Sequence, residues 1–274
     1  TGMSSGLGDS DPAARSSSRA PSRVAAFFDM DKTLIAENSG SVYMKNRFKD
    51  GDIDSWELAR ALWDYFQYKA GVLDILSWTR SMAREFEGQS EEELASQGRA
   101  FFAKSIAQLV FPEARSCVRA HQERGHRVCI VSGATRYVIE PLAKELGVEH
   151  MVYTRLETED GLFTGRVLEP ICFEEGKIHL LQGFIEEESI DLARSWFYTD
   201  SVTDQPLLDL VGHPMVVNPD PRLYRLARRR CWPIRFFDLK HSGQGVTPEG
   251  LEAGGFRSYR EGSETRRSDH EEGL

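Results

Sequence analysis

From residue 112 onward the chain alternates two textures, and that alternation sharply limits the folds open to it. Pro112 opens an amphipathic stretch that stops at Gly125, and the apolar run Val128-Cys129-Ile130-Val131 comes next. A second stretch runs from Tyr137 to Leu146, with Gly147 as its C-cap, and leads into Met151-Val152-Tyr153. Later apolar runs at 196–198, 215–217 and 234–237 are separated by helical stretches around 176–187, 203–210 and 221–230. Pro at a helix start and Gly at its end are the expected punctuation. Short apolar strands with helices between them predict an α/β fold: a parallel sheet covered on both faces. The active site of such a sheet lies beyond the carboxyl ends of its strands. One local exception is Arg155–Val167, where Asp160-Gly161 between two extended runs predicts a hairpin.

The same texture begins earlier, at Val24-Ala25-Ala26-Phe27-Phe28, and is then interrupted. Between 52 and 110 the apolar period is helical: Ile53, Trp56, Ala59, Leu62, Trp63 and Phe66, then Val72, Ile75, Leu76, Thr79, Met82 and Phe86. Ser90 with Glu93 three residues on is a capping-box signal for a third helix running through Ala107. The expectation is an all-helical cap at 39–110, inserted after the first strand of a core made of 23–38 and 111–240. An insertion there stands over the strand ends, as a lid would. Residues 1–22 are rich in Ser, Ala, Gly, Arg and Pro and residues 241–274 in Gly, Ser, Glu and Arg, both without apolar periodicity, and both are expected to be disordered tails.

A chain of 274 residues suits one domain with a large insertion or two modest domains. Its net charge of −9 argues against a general nucleic-acid binder and for a protein acting on small molecules. Cys117, Cys129, Cys172 and Cys231 lack the close spacing of a zinc or redox motif and read as reduced thiols. No apolar stretch approaches the ~20 residues that span a bilayer, so no membrane partner is expected and the cytoplasm is the default location. The arginines at 222, 225, 228, 229 and 230 read as a solvated helix end, with cations favourable to its dipole.

The residues just past each strand carry the chemistry. The first strand runs into Asp29-Met30-Asp31-Lys32-Thr33, two carboxylates where burial and mutual repulsion raise pKa values unless a cation or a proton is shared. Strand 128–131 ends in Ser132-Gly133-Ala134-Thr135, a hydroxyl and a small turn suited to a phosphate at a helix N-terminus. Lys177 opens a helix, where the dipole disfavours a cation unless an anion is near. Strand 196–198 ends in Thr199-Asp200-Ser201-Val202-Thr203-Asp204, again with two carboxylates. Taken singly, each has a plainer reading as a solvated turn, an N-cap or a surface lysine.

Together the four segments resemble the haloacid dehalogenase (HAD) superfamily, specifically its phosphoserine phosphatase-like branch with an inserted helical cap: DMDKT at 29–33, VSG at 131–133, Lys177, and DSVTD at 200–204. The resemblance runs in order through nearly all of 24–238 and implies a Rossmann-like core. It implies a phosphomonoesterase acting on a small-molecule phosphate ester, with Asp29 as nucleophile forming an aspartyl-phosphate and Asp31 as proton carrier. Thr33 would support the loop. Mg2+ would be held by Asp29, Asp31 through its backbone carbonyl, Asp200 and Asp204, while Ser132, Gly133 and Lys177 would bind the phosphoryl group. A phosphotransferase using the same intermediate, or a non-enzymatic phosphate-binding module, would keep the same residues.

The resemblance also marks substrate positions. Phosphoserine phosphatases place an acidic residue soon after the first motif to meet the amino group; here Glu37 is the nearest, with Asn38 in the anticipated place. Arg80, Arg84 and Arg99 are candidate cap cations for a substrate carboxylate, with Arg84 chosen among them. Ser201 replaces the Gly usual in those enzymes, which counts against phosphoserine itself. Trp56, Trp63, Tyr65, Phe66, Tyr68 and Trp78 are expected to be mostly core, with one or two rings lining a pocket for an amine or imidazole.

Overall fold

The computed structural model describes residues 22–70 and 74–240; the tails at 1–21 and 241–274, together with Val72, lie outside the described residues, as do the side chains of Leu62, Tyr65 and Tyr68. Seven strands form one sheet: β1 (Ala25–Phe28), β2 (Arg127–Thr135), β3 (His150–Glu159), β4 (Leu162–Leu168), β5 (Trp196–Thr199), β6 (His213–Val217) and β7 (Ile234–Arg235). Their spatial order is β4-β3-β2-β1-β5-β6-β7. All neighbours run parallel except β3 and β4, whose antiparallel pairing is the hairpin predicted at Asp160-Gly161. β3 is longer than the three residues read from the sequence because it continues into that hairpin. β7 is shorter than its apolar run, since Phe236 is exposed.

Helices cover both faces. On one lie α5 (Pro112–Glu123) and α6 (Arg136–Leu146); on the other α7 (Glu175–Glu187), α8 (Gln205–Leu208) and α9 (Pro221–Arg230). The strands are apolar throughout because successive side chains enter different cores. Phe28, Ile130 and Tyr198 pack with Cys117 of α5 and Leu142 of α6, whereas Phe27, Val131 and Phe197 pack with Leu181 of α7 and Leu223 of α9. Each such large side chain, fully buried, contributes about 1.5–3 kcal/mol before entropy is subtracted. The strand order reverses at β1, from which the chain winds outward to β2 and β3 on one side and to β5, β6 and β7 on the other. A crevice therefore opens beyond the carboxyl ends of β1 and β5.

The α5 face also buries polar groups. His121 is fully buried, with Nδ1 2.9 Å from Nδ1 of His126 and Nε2 2.9 Å from the Tyr198 hydroxyl. Trp196 stacks between His126, at 5.1 Å, and His213, at 4.1 Å between ring centroids. Burial, reinforced by His126, Arg124 and His213, holds the His121 pKa down to about 3, so its imidazole is neutral.

Between β1 and α5 stand four helices: α1 (Ser39–Asp50), α2 (Ser55–Ala70), α3 (Ile75–Arg84) and α4 (Glu91–Phe101). α1 precedes the first helix of the sequence reading and has only Ser39 and Val42 buried, too few for an apolar period; its signals are the caps, Asn38 and the left-handed Gly51. The helix expected to run through Ala107 opens at the Ser90 cap but ends at Phe101. A π-helical turn, Phe102–Ile106, comes next and turns Phe102, Ser105 and Ile106 inward. The aromatic residues of α2 also depart from expectation. Trp56, Trp63 and Phe66 are 76%, 60% and 61% exposed, because α2 packs on α1 and no other described layer covers its outer side.

Two seams join the insertion to the sheet. α4 lies against α6 so closely that a Cβ on Gly98 would run into the Tyr137 carbonyl, and the Tyr137 hydroxyl donates to Glu91 at 3.0 Å. Beyond α3, backbone hydrogen bonds link Gly88 N to Phe163 O at 2.8 Å and Phe163 N to Gln89 O at 3.0 Å.

Candidate active site

Asp29 leaves β1 with its N–H bonded to the Tyr198 carbonyl of β5, which places its carboxylate at the crevice. The chain then coils tightly: the N–H groups of Thr33, Leu34 and Ile35 all converge on the Met30 carbonyl, with Lys32 at φ 60°. Thr33 is buried inside this coil, its hydroxyl without a hydrogen-bond partner among the described residues. Asp31 is thereby presented beside Asp29 and turned toward the first turn of α1. One of its oxygens, Oδ1, accepts from Ser39 N at 2.9 Å; the other, Oδ2, accepts from Asn38 Nδ2 at 2.8 Å and Ser39 Oγ at 3.2 Å. Desolvation raises the Asp31 pKa and the Ser39 hydrogen bonds oppose that rise.

Lys177 enters from the first turn of α7, whose approach depends on Gly176: a Cβ there would strike the Ile171 carbonyl. The buried ammonium lies 2.9 Å from Asp29 Oδ1 and 2.7 Å from Asp204 Oδ1. The second oxygen of Asp204 accepts from the buried Thr199 hydroxyl at 2.6 Å. Burial alone would push the Lys177 pKa down, but Asp204 and Asp29 outweigh it and keep the ammonium charged. That also answers the dipole objection to a lysine at a helix start. Asp29 is pushed up to about 7 by desolvation; Lys177 pulls against that rise, and Asp204 and Asp31 add to it. Removing either partner of such a buried pair typically costs about 3–5 kcal/mol.

Asp200 is buried at the end of β5, and its carbonyl accepts from Asp220 N at 2.8 Å. The Asp220 side chain caps α9 through Arg222 N and Leu223 N, and its other oxygen holds Val202 N at 3.0 Å. Ser132 is buried within β2, which runs on to Thr135 with a register shift against β3 where the sequence predicts a turn, and its hydroxyl accepts from Ala134 N at 3.2 Å. Gly133 next to it is exposed, and a Cβ there would just touch the Cys172 carbonyl at 3.4 Å.

The structure thus brings Asp29, Asp204 and Lys177 into direct contact, with Asp31, Asp200 and Ser132 at neighbouring strand ends. The proposed substrate residues sit differently. Glu37 is bonded to Lys45 at 2.8 Å, and Arg84 is exposed on the last turn of α3. Arg80 pairs with Glu169 at 2.9 Å. Sequence reasoning missed Thr199, Asn38, Ser39 and Asp220 as supports. For Asn38 and Asp220 a signal was present, an N-cap residue before a helix.

A seven-stranded doubly wound sheet with aspartates beyond β1 and β5 and a lysine reaching between them defines a class. The family model for haloacid dehalogenase-like hydrolases matches residues 26–209, and the chain belongs to that family. Within it the chain falls in the phosphoserine phosphatase-like branch of phosphatases. It is 34% identical to a Neisseria meningitidis protein named histidinol-phosphatase over 217 residues, 77% of this chain and 98% of the relative. It is 31% identical to the phosphoserine phosphatase SerB1 of Mycobacterium tuberculosis, over 84% of this chain and 77% of that one. Among solved structures, a Bordetella pertussis protein of unknown function aligns with a TM-score of 0.70 at 31% identity, over 80% of this chain and 99% of its own. A phospho-aspartyl intermediate analogue of phosphoserine phosphatase, at 17% identity and a TM-score of 0.59 over 78% of this chain and 93% of that one, shares the fold.

Proposed function

We propose that the chain is a magnesium-dependent phosphomonoesterase that hydrolyses a small-molecule phosphate ester through an aspartyl-phosphate on Asp29. The observation that carries this reading is the buried chain Asp29–Lys177–Asp204–Thr199. It fixes one oxygen of Asp29 and leaves the other for attack on phosphorus. Lys177 also lowers the repulsion between that carboxylate and an incoming phosphate. Asp31 protonates the leaving alcohol and later takes a proton from the water that cleaves the intermediate. Ser132 and the N–H groups around Gly133, on the last residues of β2 before α6, bind phosphoryl oxygens.

The donor set fits a hard cation: it is all oxygen, and four aspartates share the pocket with one buried lysine. Among the described residues, no group of three or more His, Cys, Asp or Glu side chains is placed to hold a metal ion. Magnesium needs none, because it keeps several waters. Asp29, Asp200 and the Asp31 carbonyl would hold the ion, with Asp204 acting from behind Lys177. When bound, it supplies positive charge against the phosphoryl oxygens.

Phosphoserine itself is disfavoured as the substrate. The anticipated acidic anchor is Asn38, whose amide is committed to Asp31 and Ser41, and Glu37 is held by Lys45. The relative named histidinol-phosphatase, matched over nearly its whole length, supports a small amine- or imidazole-bearing ester. The cytoplasm suits such a substrate, and among the described residues no helix is long and apolar enough to cross a membrane.

Asp29→Asn tests the assignment. Release of p-nitrophenol from p-nitrophenyl phosphate with magnesium is expected to fall by roughly a thousandfold or more. The fold should persist, with the melting transition falling by less than the loss of a sole partner would cost, since Lys177 keeps Asp204. Activity retained in this variant overturns Asp29 as nucleophile.

A further inference from the structure

We infer that Asn38 is a positioning residue for Asp31, fastening the proton-carrying carboxylate to the N-terminus of α1. The inference rests on the reading of Asp31 as the acid and base of the reaction. Asn38 stands at the N-cap of α1, with φ −75° and ψ 122°. Its Oδ1 accepts from Ser41 N at 3.0 Å and from Ser41 Oγ at 3.1 Å. A backbone N–H can only donate, so Oδ1 is fixed on the helix side and Nδ2 must be the atom facing Asp31 Oδ2 at 2.8 Å. An amide alone joins these two tasks. Asp would cap the helix but set a carboxylate against Asp31; Ser would cap it but fall short of Asp31.

Ser39 completes the hold. It is buried, and it donates from its backbone to Oδ1 and from its hydroxyl to Oδ2. A carboxylate offers about four lone-pair sites. Both sites on Oδ2 are taken, whereas Oδ1 accepts once and keeps one site open. Oδ1 is therefore the oxygen that carries the proton. In the forward step the ester P–O bond breaks, the Asp29 Oδ–P bond forms, and the proton passes from Asp31 Oδ1 to the departing ester oxygen. Because Asn38 opens α1, the aim of that proton is set by the first helix of the insertion.

The test exploits leaving groups. p-Nitrophenolate departs without a proton, whereas the alkoxide of benzyl phosphate needs one, and the two esters are similar in size. Asn38→Ser should lower single-turnover cleavage of benzyl phosphate by about 10- to 100-fold, within the range of general-acid contributions, and that of p-nitrophenyl phosphate by no more than about threefold, with KM little changed. Asn38→Asp keeps the strongest capping chemistry and should show the same selectivity; it decides the matter if the serine variant does not fold. Asp31→Asn is the reference and should be selective in the same sense, by a larger factor. Equal losses on both esters in the Asn38 variants, with Asp31→Asn selective, overturn the positioning role. A nonselective Asp31→Asn overturns the reading of Asp31, and the inference with it.

Discussion

The strand ends and the inserted helices of this molecule are built to different standards. At the carboxyl ends of β1 and β5, Asp29, Lys177, Asp204 and Thr199 are all buried, and each is held by a named partner. On the outer side of α2, Trp56, Trp63 and Phe66 stand in the open, and α1 buries only two of its residues. Charges taken out of water tolerate one arrangement, because any unpaired one costs several kcal/mol. Exposed rings tolerate many. The difference teaches that the buried charges at the strand ends are fixed by their partners, while the outer face of α2 can change with little penalty to the fold.

Acid should break that comparison most strongly. His121 titrates near 6.5 when unfolded, and its folded value is held down to about 3 by burial. A depressed histidine pKa stabilises the fold fully above 6.5, and the contribution drains as pH falls toward 3. One such group costs about 1.4 kcal/mol per pH unit across that window. Denaturant titrations between pH 7 and pH 4 should show this slope, and His121→Gln should flatten it. The insertion contains no histidine, so its local hydrogen exchange should respond far less.

A smaller effect is expected at the seam. Gly98→Ala pushes a methyl group into the Tyr137 carbonyl, and since backbone cannot yield cheaply α4 must shift from α6. The expected cost is about 1–3 kcal/mol in a chemical melt, with KM for p-nitrophenyl phosphate rising more than kcat falls. An unchanged KM would mean that the seam does not shape the substrate space. The smallest change should come from Trp56→Ala: less than about 0.5 kcal/mol, since an exposed side chain loses little on truncation. A large loss there would show that α2 is covered in solution.

The sheet was legible because fully apolar runs separated by capped helices have few other folds open to them. Asp29, Asp31, Ser132, Lys177, Asp200 and Asp204 stood out only together, through four motifs in order along the chain, since each taken singly has a plainer reading as a turn, an N-cap or a surface lysine. The bond between Lys177 and Asp204 was not legible, since α7, β5 and the loops between them must fold back to make that contact. α1 escaped because it has almost no apolar stripe; only Asn38 and Gly51 announce it. Asn38 was weighed as the place where an acidic substrate anchor would stand, and nothing in its sequence context indicates that its amide turns back to Asp31. The aromatic residues of α2 misled for a related reason: their helical spacing reads the same whether the stripe meets a core or solvent.

Asp220 lies beyond the segment matched by the family model, which ends at residue 209. Yet its backbone and carboxylate clamp both Asp200 and Val202 while capping α9. The segment matched by the family model therefore stops short of a residue that holds the loop beyond β5. A truncation drawn at the edge of the family match would keep every acidic residue of the motif and lose the clasp that ties the loop beyond β5 to the start of α9.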